Sequence, residues 1–199
     1  MNSMTRLLVI VSPLLLTLAG CSTNPTTKIS DQLTSPYLTN LDNQRTDDKM
    51  LRNKLQDQLD DEIKNSAIKV VVDHDNVLLV GQVASQSDSN QATVLCKQSS
   101  SVNKVFNYLT VAAKPSLNIN SSVNNDAQDQ LDTQIDIQGK RLTVITVDHV
   151  VYIMGTNIGN LTSLDYAIKG INNIEGVNQV VNLVQKGNFD YYGSENLIK

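Results

Sequence analysis

The sequence predicts an α+β protein made of two copies of one small unit, hung behind an apolar N-terminal segment. Three observations carry this. Apolar residues recur every four positions in two widely separated segments. Each such segment is followed by two short β-rich runs around a polar turn. The two sets of segments match each other in sequence, in order and at nearly constant separation.

The repeat is read directly. Gln56-Asp57-Gln58-Leu59-Asp60 recurs as Gln128-Asp129-Gln130-Leu131-Asp132, 72 positions later. Val77-Leu78-Leu79-Val80-Gly81 is answered by Val151-Tyr152-Ile153-Met154-Gly155 at 74, and Val102-Asn103-Lys104-Val105-Phe106-Asn107 by Val177-Asn178-Gln179-Val180-Val181-Asn182 at 75. Any one match arises easily by chance; three in register do not.

Each copy opens with a helix. Leu51, Leu55, Leu59 and Ile63 share one face, as do Val123, Ala127, Leu131 and Ile135. Two strands follow, Ile68 to Val72 and Val77 to Val83, joined by the turn formers Asp73-His74-Asp75-Asn76. Their counterparts are Leu142 to Val147 and Val150 to Thr156, with Asp148-His149 between. A second helix aligns Ala92, Cys96 and Ser99 with Ala167, Ile171 and Ile174. A last strand, Val102 to Val111 or Val177 to Val184, closes the unit. The order α-β-β-α-β lets two helices cover one face of a three-stranded sheet, a two-layer sandwich. A unit of ~65 residues is marginal alone, so the copies are expected to pack against each other.

The first twenty residues read as an export signal. Arg6 precedes an almost wholly apolar run, Leu7 to Ala19, too short to span a ~30 Å hydrocarbon core. It ends in Leu18-Ala19-Gly20-Cys21, the spacing of a bacterial lipobox, which makes Cys21 the expected lipidated N-terminus. Acyl chains there hold a protein on a membrane at ~0.8 kcal/mol per buried CH₂. Ser22, where Asp favours inner-membrane retention in enteric lipoproteins, points to the outer membrane. Residues 21–44, rich in Ser, Thr, Asn and Pro, are expected to be a flexible tether. The remaining expected boundaries are 45–113 for the first unit, 114–120 for a linker marked by Lys114-Pro115, 121–187 for the second unit and 188–199 for a tail. That tail holds Phe189, Tyr191 and Tyr192, which suit either a membrane interface or a sheet edge.

Composition excludes several functions. Net charge is −4, and removal of residues 1–20 takes away only Arg6, leaving 15 Lys+Arg against 20 Asp+Glu. A diffuse acidic balance does not suit nucleic acid. With Cys21 acylated, Cys96 has no partner for an intramolecular disulfide. Cys96 aligns with Ile171, so it reads as a small core residue. His74 and His149 each follow an Asp in equivalent turns and read as turn chemistry, not metal ligands. The acidic groups Asp57, Asp60, Asp61, Glu62 and Asp126, Asp129, Asp132 read as solvated helix faces. No phosphate-binding glycine loop occurs. No catalytic residue, metal site or cofactor is expected.

The strand-Gly elements (Val77 to Gly81, Val151 to Gly155) and the close Gly176-Val177 with Val180 and Asn182 resemble the BON domain of bacterial envelope proteins. Ser101 stands in the first copy where that family has Gly. Together with the lipobox and tether, the chain resembles the DolP/YraP family of two-BON outer-membrane lipoproteins, related to the soluble OsmY. The resemblance implies tandem αββαβ sandwiches, each with a three-stranded mixed sheet. It also implies a non-enzymatic, lipid-anchored role on the periplasmic face of the outer membrane, binding anionic phospholipid and supporting envelope integrity. In that family the lipid surface is the first helix of the second unit, whose interfacial Trp position falls at about Ser122. Lys140 and Arg141 are the nearest cations. The acidic helix leaves a second reading open, a protein–protein adaptor for outer-membrane assembly or cell-wall machinery without a lipid site.

Overall fold

Residues 36–135, 142–155 and 161–185 are described by a computed structural model. All of them belong to one unit of the chain, residues 34–199. The expected signal (1–20), Cys21, Lys140, Arg141 and the 188–199 tail lie outside the described residues.

The first copy runs α1 (Pro36–Glu62), β1 (Ala67–Asp73), β2 (Asn76–Val83), α2 (Gln86–Lys97) and β3 (Lys104–Val111). The second runs α3 (Ser121–Gln134), β4 (Thr143–Val147), β5 (Val150–Met154), α4 (Leu161–Asn172) and β6 (Gln179–Asn182). Each copy forms its own three-stranded sheet, in the orders β1-β2-β3 and β4-β5-β6. The first pair of strands is antiparallel and the second parallel in both. The duplication extends to register: Val70 faces Leu79 and, 74 positions on, Val144 faces Ile153. The α+β, αββαβ architecture is therefore present twice.

The periodic residues do what their spacing implies. Leu51, Leu55, Leu59 and Ile63 bury against alternate residues of β1 and β2, including Val70, Val72, Val77 and Leu79. Val123, Ala127, Leu131 and Ile135 do the same against Val151 and Ile153. Ser85 caps α2, its Oγ accepting from the Asp88 N–H at 3.1 Å. Asn120 caps α3, its Oδ1 accepting from the Val123 N–H at 3.1 Å.

Helix α1 begins earlier than expected. It starts at Pro36, inside the segment read as the 21–44 tether, and is 27 residues long. Proline at the first helical position has a preset φ and no N–H to leave unpaired. Leu51 is the first buried side chain of this helix among the residues whose burial is described, and the apolar positions every four residues begin there.

Both hairpin turns need left-handed backbone. His74 and Asp75 have φ of 48° and 61°, and Asp148 and His149 have 48° and 66°. Two consecutive positive-φ residues make the tight turn whose twist matches the flanking strands. In the first copy Asp48 of α1 holds this turn, accepting from the His74 N–H at 3.0 Å and the Asp75 N–H at 3.2 Å. Gly81 is needed for another reason: its φ is +109°, and a Cβ there would lie 2.0 Å from the Ala67 carbonyl oxygen.

The sheet faces not covered by helices pack on each other. Val71, Leu78 and Val80 of the first sheet form one cluster with Ile145, Val147, Tyr152, Met154 and Leu183 of the second copy. The result is helix layer, sheet, sheet, helix layer, and it bears out the expectation that the copies pack together. Burial on both faces explains why Val77 to Val80 is uninterruptedly apolar instead of alternating. At the rim of this interface the Thr143 hydroxyl donates to Asp73 Oδ2 at 2.7 Å. Tyr108 meets Tyr152 edge to face, with ring centroids 5.2 Å apart. The linker joins in as well, Ile119 bridging Val147 on the β4 edge.

Candidate functional surface

Helix α3 presents two unlike faces. Val123, Ala127 and Leu131 are buried beneath it, while Ser122, Asp126, Asp129 and Asp132 are exposed on its outer side. Ser122 is a small hydroxyl on this acidic face. Beside it, Asp126, Asp129 and Gln130 line a shallow cavity of about 220 Å³ with Thr133 and Ile174. Lys140 and Arg141 lie outside the described residues.

Both histidines have structural partners. His74 Nδ1 lies 2.6 Å from Asp73 Oδ1, and Asp73 is itself buried. His149 Nδ1 lies 2.8 Å from the Gly176 carbonyl, which can only accept, so the ring donates there. The two histidines brace their own turns. Burial raises the Asp75 carboxyl above its ordinary value, with Asp48 and Asp47 adding repulsion and His74 opposing it. Among the described residues no three His, Cys, Asp or Glu side chains are placed to hold a metal. Cys96 is fully buried and its thiol is pushed up to about 11 by desolvation, so it is no nucleophile at neutral pH.

The asparagine of the closing motif has a role the spacing did not reveal. Asn107 Oδ1 accepts from the Leu109 N–H of its own edge strand at 3.0 Å. Its Nδ2 donates to the Ser89 carbonyl at 2.9 Å, to Ser89 Oγ at 3.0 Å and to Thr93 Oγ1 at 2.8 Å. It ties α2 to β3 while satisfying a backbone donor at the sheet edge. Asn182 repeats the local half of this, accepting from the Val184 N–H at 3.0 Å. Gln56 does the same at the opposite edge, accepting from the Val70 N–H and donating to the Ile68 carbonyl, both at 3.0 Å. The signal for Gln56 was its recurrence as Gln128; its function required the strand beside it.

Among the described residues no helix is long and apolar enough to cross a membrane.

The chain is similar over 65% of its length to two solved structures of CdsD from Chlamydia trachomatis, described as a structural protein of the type III secretion system. One matches at 9% identity and a TM-score of 0.30 over 89% of that chain, the other, its C-terminal domain, at 10% and 0.31 over 94%. No curated protein matches the chain. The family model for the BON domain, a module associated with phospholipid binding and envelope-related proteins, matches residues 47–113. The match spans α1 from its second half through β3 and includes Gly81 and Asn107. Residues 47–113 are a BON domain.

Proposed function

We propose that the second αββαβ unit, residues 121–187, is also a BON domain, and that the chain is a lipoprotein of the DolP/YraP type. In this reading Cys21 anchors it to the periplasmic face of the outer membrane, where it supports envelope integrity without turnover. The observation that carries the reading is the coincidence of the lipobox-like Leu18-Ala19-Gly20-Cys21 with a BON domain at residues 47–113 and a second αββαβ sheet of matching register. The anchor sets which leaflet the protein serves. The apolar cluster shared by the two sheets ties the two units together.

Anionic phospholipid is the ligand that the BON module suggests, with α3 and the Lys140-Arg141 pair as its contacts. The exposed Asp126, Asp129 and Asp132 favour the second reading, a protein adaptor, because a negative face is repelled by anionic headgroups. Flotation of protein beginning at Ser22 with phosphatidylglycerol vesicles at low salt separates them. Co-flotation that salt abolishes supports lipid binding; protein left at the bottom of the gradient rejects it in favour of the adaptor. For the anchor, Cys21→Ala is expected to leave an uncleaved or mislocalised precursor. Normal processing and partition of that variant would reject lipidation.

A further inference from the structure

The two sheets differ at one edge. In the first copy the Gln56 amide stands in for the strand that β1 lacks, pairing with Val70 and Ile68. In the second copy Gln128 holds the equivalent place on α3, and Val144 that of Val70. Gln128 donates to Asp132 Oδ1 at 2.9 Å, as Gln56 does to Asp60 Oδ1 at 3.0 Å, but among the described residues it makes no bond to β4. The linker covers only the far end of that edge. The Asn120 N–H donates to the Thr146 carbonyl at 3.1 Å, and the Asp148 N–H to the Asn118 carbonyl at 3.0 Å. Residues 146 and 148 therefore point their backbone groups outward, and by the alternation of an antiparallel ladder so does Val144.

Beyond the linker the chain turns into α3, and the β4 edge opens on a groove of about 290 Å³. Val144 and Ile145 form its floor, Ile119 and Asn124 one wall, and Lys69 and Val71 of the first copy the other. Asn124 Oδ1 is buried there without a hydrogen-bond partner. The groove thus offers a backbone donor, a backbone acceptor, an unused amide oxygen and small apolar contacts, with Lys69 as its one charge.

We propose that this groove takes an extended polypeptide segment of a partner protein, added as a strand to the β4 edge. An extended chain supplies donors and acceptors in alternation and matches both kinds of group on Val144. The phosphate of a lipid headgroup carries acceptors only, and a headgroup's hydroxyls do not repeat at strand spacing, so it does not match the Val144 N–H, the Val144 carbonyl and Asn124 Oδ1 together. The pairing begun by Ile119 on Val147 fixes the edge and its outward register, and the partner strand extends it toward Thr143. Alternate side chains of the segment rest on Val71 and Ile145, so small apolar residues suit every second position. The inference stands whether or not the chain is anchored in a membrane.

The test is selection of a phage-displayed random dodecapeptide library on the full chain in detergent micelles, followed by hydrogen exchange and affinity measurement with the selected peptides. Peptides with alternating apolar positions are expected, slowing exchange of the Val144 amide. Val144→Pro should weaken them about tenfold or more, because it deletes the outward N–H and proline is tolerated where an edge-strand N–H faces away from the sheet; Val144→Ala, which keeps the N–H, controls for the side chain lost from the second core. Exchange in the wild-type protein gives the same answer if Val144→Pro fails to fold. Failure to select any peptide, protection confined to amides away from β4, or equal affinity for a folded Val144→Pro protein would overturn the proposal.

Discussion

Leu78→Ala probes whether the two units are one cooperative body. Leu78 is completely buried, and its side chain faces the second sheet, not the helices of its own copy. Truncating a buried leucine costs about 2–5 kcal/mol, the transfer term plus about 24 cal/mol for each Å³ left empty. The upper half of that range applies, because the neighbours Val71, Val80, Tyr152 and Met154 sit on hydrogen-bonded strands that cannot collapse into the gap. If the two units melt together, as a body of about 150 residues, each kcal/mol lowers the midpoint by about 2–4 °C, so a drop of roughly 7–20 °C is expected. Circular dichroism melting gives the midpoint, and native-state hydrogen exchange gives its distribution. The decisive readout is exchange in β5, which has no covalent or helical contact with Leu78: Ile153 amide protection should fall together with that of Leu79. Loss of protection in the first copy alone, with β5 unchanged, would refute the shared core. Leu55→Ala is the contrast, since it empties the helix–sheet layer of the first copy only.

Three further outcomes follow from particular contacts. Gln56→Leu removes the amide that satisfies β1; it should cost about 1–3 kcal/mol in chemical denaturation and increase association at high concentration, as an unpaired edge does. Cys96 should resist iodoacetamide at pH 8 in the folded protein and react on unfolding. Its folded value, about 11, lies above the unfolded one, so the stability it contributes is present below pH 9 and is lost as pH rises through 11, readable in alkaline melts. Asp75 is also raised, so its ionisation in the folded state opposes folding at neutral pH. Asp75→Asn should therefore stabilise the protein at pH 7, and that advantage should shrink as pH falls through the carboxylate range; a pH-independent difference would assign the effect to the turn backbone instead.

Much of this architecture was legible because it is periodic. Leu51 to Ile63 at every fourth position announced the buried face of α1, and Asp73 to Asn76 announced a turn. Cys96 was readable from its alignment with Ile171, since two residues at one repeat position share one environment. What escaped the sequence is what depends on a neighbour distant along the chain. Gln56 and Asn107 look like ordinary polar residues until the strands whose edges they satisfy are beside them. Pro36 gave no sign of a helix start, because the apolar period of four that marks α1 begins only at Leu51. Ser122 was placed by likeness alone. It is exposed on α3, and its hydroxyl and the aspartates of that face do not supply an indole's grip on lipid.

The back-to-back arrangement of the sheets bears on how the chain is made. A ribosome finishes the first copy long before the second, so Leu78 and Val80 wait, bare to solvent, for a mate still being synthesised. Any other molecule's second copy offers the same template, and the short linker through Pro115 is the only thing that makes the cognate half arrive first. Crowded synthesis should therefore yield interlocked pairs of chains that exchange halves, and lengthening that linker should multiply them.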